Sequence, residues 1–141
     1  MKITGRVLEK MFLEYNKKYF DNFLILPKMT TYIGETSMGI FSVRERRYSA
    51  DMKISIARNF KLTNEELRDL LLHEMIHQYV YMQTGKVSHN RNFKNKMNEL
   101  NEKYGLDIRK NSKHLFKKYK KNETVFGKIL SLVKKRVFLV Q

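Results

Sequence analysis

Apolar positions follow a helical rhythm near the start of this chain. Val7, Leu8, Met11, Phe12, Tyr15 and Tyr19 recur at helical spacing with Lys and Glu between them, which predicts a helix over residues 5–20. Asp21-Asn22 ends it, and Pro27, the only proline, marks the passage into extended structure. Three β-rich stretches follow, at residues 29–34, 37–43 and 51–57, the last alternating Met52, Ile54 and Ile56 with Lys53 and Ser55. Their short connections predict antiparallel neighbours in a small meander. Thr63-Asn64-Glu65-Glu66 reads as a capping box, so a second helix starts near Asn64 and stops at Gly85. Phe93, Met97, Leu100 and Tyr104 form another stripe, closed by Gly105, and Leu106-Asp107-Ile108 suits a short strand. Beyond it, Leu115, Phe116 and Tyr119 lie among lysines, as in a strand pair or a basic surface segment. Val125, Phe126, Ile129, Leu130 and Val133 predict a terminal helix packed on the core.

The helix over residues 64–84 carries the chemistry. Leu67, Leu70, Leu71, Leu72, Met75, Ile76, Tyr79 and Val80 leave it almost no polar face, so it is expected to be largely buried. His73, Glu74 and His77 inside it would be costly unless something satisfies them. Histidines four apart project from one helix face, at a spacing that suits one Zn²⁺. Glu74 stands about 100° round from His73, where it reaches a water in the open position of the metal instead of the metal itself. This is the H-E-x-x-H arrangement of zinc hydrolases, with the carboxylate as general base. A catalytic zinc usually takes three protein ligands. The third would be His89, His114, an acidic residue or none. His89 is the best placed, beyond the break at Gly85 and just before the next helical stripe.

Leu71-Leu72-His73-Glu74-Met75-Ile76-His77, followed by His89-Asn90-Arg91-Asn92-Phe93, resembles the SprT-like metalloprotease family, which includes the Spartan-type proteases acting on DNA–protein crosslinks. Tyr19-Phe20-Asp21 and Lys53-Ile54-Ser55-Ile56 fit the same pattern, so the resemblance spans roughly residues 5–110. It implies His73, His77 and His89 as zinc ligands and Glu74 as the catalytic base. It also implies a zincin-like α+β fold: an N-terminal helix, a three-stranded antiparallel sheet, the central H-E-x-x-H helix, and a following helix with the third ligand near its start. Two departures stand out. Asn90 occupies a place usually held by Gly, and Asn tolerates left-handed backbone better than most residues. The cysteine-bearing zinc ribbon of many members is missing, since the chain has no cysteine.

The charge changes the picture. The formal net charge is +15, an argument about partners more than fold. Residues 109–141 hold 11 Lys/Arg against the single acid Glu123. That segment, with Lys117, Lys118, Lys120 and Lys121 at its centre, is expected to bind nucleic acid. The expected organisation is a metallopeptidase domain over residues 1–110 and a basic extension over 111–141 packed on it. No secretory signal or membrane-spanning run is visible, and the absence of cysteine fits a reducing cytoplasm.

The expected reaction is zinc-assisted hydrolysis of a peptide bond in DNA-associated proteins, with Glu74 moving the proton. Tyr79, Tyr81 and Arg91 are close enough in sequence to supply a second electrophile. In zincins generally an edge strand holds an extended substrate by backbone pairing. One alternative is a non-catalytic zinc-containing nucleic-acid-binding protein, which would have no use for a base at Glu74. Another is a zinc hydrolase of a different substrate.

Overall fold

A computed structural model describes residues 2–120, apart from the side chain of Lys120. Lys121 and the helix expected over residues 125–133 lie outside the described residues. The elements run α1 (Gly5–Tyr19), β1 (Lys28–Tyr32), β2 (Gly39–Glu45), β3 (Ala50–Ala57), α2 (Asn64–Thr84), α3 (Arg91–Tyr104) and α4 (Lys113–Lys120). The chain divides between Lys110 and Asn111 into two compact units, and α4 belongs to the second. No described helix is long and apolar enough to cross a membrane.

The fold is α+β, but its sheet is mixed and not antiparallel. The strand order is β1-β3-β2, with β1 parallel and β2 antiparallel to β3. The short-connection argument holds for the turn from β2 to β3 and fails for the link from β1 to β2. Residues 33–38 can reach about 20 Å when extended, and stepping over one strand needs only about 10 Å. Backbone bonds then close the end of β3 between its neighbours: Arg58 N–H donates to Tyr32 O at 2.9 Å and Ala57 N–H to Met38 O at 2.8 Å. Asn59 adds a clamp, with its side chain bonding both the N–H and the carbonyl of Gly34 at 2.8 and 3.0 Å. Central placement also explains why Ile54, Ser55, Ile56 and Ala57 are all buried, on both faces of the strand.

α2 packs on β2 and β3, α1 on β1, and α3 on α2, with Leu8, Phe12, Ile54, Ile56, Leu71, Met75, Ile76 and Phe93 sealed between them. The predicted capping box is formed: Glu66 N–H donates to Thr63 Oγ1 at 3.1 Å, and Thr63 N–H donates to Glu66 Oε1 at 2.9 Å. Gly85 closes α2 with φ 74°, a left-handed cap that suits glycine.

The strand expected over 106–108 does not form. Asn101 takes the place of a strand partner, its side chain accepting from Ile108 N–H at 2.8 Å and donating to Ile108 O at 2.9 Å. With its backbone paired this way, Ile108 stays buried in irregular structure. The lysine-rich stretch after it is the helix α4, in which the Lys118 ammonium lies 5.4 Å over the Tyr119 ring.

Candidate metal centre

His73 and His77 occupy successive turns of α2, while His89 lies on the loop before α3, one residue ahead of the N-cap and not on the helix itself. His89 Nε2 is 3.2 Å from His73 Nε2 and 3.2 Å from His77 Nε2. The loop is fixed by Asn90, whose side chain accepts from Phe93 N–H at 3.1 Å. Asn90 has φ −76°, so this position does not need the left-handed geometry that its place in the motif suggested, and it serves as an N-cap.

The donor set fits a metal ion. His73 Nδ1 lies 2.6 Å from the Arg109 carbonyl. A carbonyl only accepts, so the ring proton sits on Nδ1 and Nε2 turns a lone pair toward the other rings. One proton on His89 Nε2 could serve a single neighbour, which leaves the three nitrogens mutually unsatisfied without a cation. Two tetrahedral ligands on zinc stand about 3.3–3.4 Å apart for bonds of 2.0–2.1 Å, close to the spacing found.

The electrostatics agree. Burial, against the raising effect of the Arg109 carbonyl, lowers the His73 pKa to about 4. Burial and then the neighbouring His73 and His89 lower His77 to about 3. Burial first, then Lys110 and Lys94, lowers His89. The imidazoles are therefore neutral at neutral pH, the form that ligates.

Phe93 is the common wall of the cluster. It is fully buried, with ring centroids 4.9, 4.6 and 4.9 Å from those of His73, His77 and His89. Since His77 Nδ1 is buried without a hydrogen-bond partner, that ring is held by packing.

Glu74 is also buried, and burial raises its carboxyl to about 8. It lies against the first residue of β2: a Cβ built on Gly39 would meet its Oε2 at 2.9 Å. The Tyr32 phenol bonds Ser37 Oγ at 2.7 Å. Its pKa is raised by burial and by the Glu74 charge, against the lowering effect of the Ser37 bond.

The three electrophile candidates separate. Tyr79 turns into an aromatic cluster with Phe20 and Phe23 and lies under the Lys96 ammonium at 4.6 Å. Arg91 is exposed at the start of α3. Tyr81 lies one turn beyond His77 on the same helix face, packed on Phe41, with its hydroxyl donating to Glu45 Oε1 at 2.8 Å. Sequence reasoning missed the Arg109 carbonyl, Gly39 and the Tyr32–Ser37 pair. Only Gly39 carried a local signal, as a glycine interrupting a β-rich stretch.

The described unit is thus an α+β domain built around a candidate metal centre of three histidines on an H-E-x-x-H helix and the loop after it. The SprT-like family pattern matches residues 8–121, and the chain belongs to that family. The match runs past the first unit and takes in α4. A search of curated proteins finds no match.

Proposed function

We propose that this protein is a zincin-like zinc metallopeptidase, with its catalytic domain over residues 1–110 and a basic extension over 111–141. His73, His77 and His89 would hold the ion and Glu74 would act as the base. The observation that carries the reading is the buried Glu74 carboxylate, next to His73 and three residues from His77, with the Nε2 of a third histidine, His89, 3.2 Å from the Nε2 of each. A structural zinc site would have no use for that carboxylate.

A zinc ion bound there supplies Lewis acidity toward a water and a scissile carbonyl and, as a positive charge beside Glu74, favours its carboxylate form. The chain does the rest. Glu74 takes a proton from the attacking water and returns it to the leaving amine. His73 is held in its ligating tautomer by the Arg109 carbonyl. Phe93 keeps bulk water from the inner side of the three rings. Among the described residues β2 is an edge strand packed beside α2, with Gly39 against Glu74, so an extended peptide pairing with its outer edge would lie along the site.

Nucleic acid is the proposed partner, reached through Lys117, Lys118, Lys120 and Lys121 and confining cleavage to DNA-associated proteins in the cytoplasm. The end of β2 and the turn after it add a second basic surface, with Arg44, Arg46 (paired with Asp51 at 2.8 Å) and Arg47, which lies over Tyr48, itself 87% exposed.

Glu74→Gln tests the reading. The amide keeps the shape of the side chain but cannot take a proton, so zinc content should hold while peptide hydrolysis falls about 10²–10⁴-fold. An active Glu74→Gln protein would sink the mechanism.

A further inference from the structure

Gly39 opens β2 opposite Ile56 of β3. Glycine is a poor choice in a strand, where it packs nothing and holds the backbone loosely. Backbone freedom does not account for it, because the positive-φ glycines among the described residues are Gly85 and Gly105. The missing side chain does. A Cβ at this position would stand 2.9 Å from Glu74 Oε2 and 3.2 Å from both its Cδ and its Cγ, and these are the three nearest atoms it would meet.

The contact is one-sided in its consequence. Glu74 projects from α2, which is buried on almost every side, whereas its carboxylate is the free end of a side chain. A methyl group on β2 would therefore be accommodated by the carboxylate turning aside and not by the helix moving. The strand is also held in place further along. Phe41 packs on Tyr81, and Glu45 accepts from the Tyr81 hydroxyl at 2.8 Å, two turns of α2 beyond Glu74. Gly39, Phe41 and Glu45 alternate on one face of β2, and all three meet α2.

We infer that Gly39 is a positioning residue for Glu74: the space left by its absent side chain is the seat of the carboxylate, and the backbone of β2 sets the direction in which that carboxylate points. The inference builds on the metallopeptidase reading for its catalytic consequence, while the packing relation stands independently. A group that must receive a proton is sensitive to displacement, and a shift of about 1 Å at a catalytic group can cost about 10²-fold in rate.

Gly39→Ala is the test, read in three ways on the full chain. With zinc bound, the metal content should match the parent and KM should change little while kcat falls by about 10–100-fold. Shortening the base should then relieve the clash, so Glu74→Asp should cost less activity beside Gly39→Ala than it does in the parent. The third reading needs no activity. In a Glu74→Ala background the three atoms nearest to a Cβ at 39 are gone and alanine improves the strand, so Gly39→Ala should raise the melting temperature there and not in the parent. Equal melting shifts in the two backgrounds would overturn the inference, as would an unchanged kcat in an active parent. If the parent cleaves no peptide at all, the peptidase reading fails, and the melting comparison still decides the role of Gly39.

Discussion

The residues of the candidate centre place opposite demands on pH once the protein is stripped of metal. Burial raises the Glu74 carboxyl from its usual 4.5 to about 8. The unfolded chain therefore ionises this group first, and its contribution to stability, complete below pH 4.5, is lost as the pH rises toward 8. The histidines run the other way. His73 and His77 are lowered from 6.5 to about 4 and about 3, so their contribution is present above pH 6.5 and lost as the pH falls through those values. Chelated protein should accordingly be most stable near pH 6.5 as far as these groups decide it. The alkaline limb belongs to Glu74 alone. Thermal melts of chelated parent and Glu74→Gln should diverge between pH 6.5 and 8, the parent losing stability and the variant holding level. Parallel curves would mean that the carboxyl is not buried in its protonated form.

At the scale of elements, asparagine side chains close the loops by pairing both backbone groups of a distant residue. Asn16 does so for Leu24, Asn59 for Gly34, and Asn101 for Ile108. The last bears on the metal centre. Asn101 on α3 fixes Ile108, and the next carbonyl, that of Arg109, orients His73. Asn101→Ala should therefore weaken zinc binding although it touches no ligand. Partners that contact a ligand directly are worth about 10–100-fold in affinity, so a loss of up to about 10-fold is expected one link further out. Competition with a chelator of known affinity measures it, and parental affinity would show that the carbonyl is held by other means. This link was not legible in the sequence, where Leu106-Asp107-Ile108 reads as a strand; the asparagine that replaces the strand partner lies on a neighbouring helix.

At the scale of the whole molecule, charge is the dominant fact. A net +15 with 11 Lys/Arg in residues 109–141 predicts binding through phosphates, without base reading. If about five of these side chains each neutralise a phosphate, log K should fall against log salt with a slope near −4. Replacing Lys117, Lys118, Lys120 and Lys121 with Gln should flatten the slope by about one unit for each phosphate left unneutralised, with zinc content unchanged. An unaltered slope would return these lysines to the role of a solvated surface.

Local chemistry was enough to determine α1, the start and stop of α2, and the pairing of His73 with His77 on one helix face. Helical periodicity, a capping box and a left-handed glycine act within a turn or two, so they are written where they operate. The spacing of His73 and His77 is of the same kind, since a helix converts four residues of sequence into one face. His89 could be nominated from the break at Gly85, but its distance from the other two rings depends on how α3 packs against α2. Strand order was decided by the tertiary structure alone. Pairing is settled by which strand can be buried on both faces, and β3 is the one whose Ile54, Ser55, Ile56 and Ala57 can be. The same packing brought Gly39 to Glu74 and the Arg109 carbonyl to His73, contacts across 35 and 36 residues that no local pattern encodes.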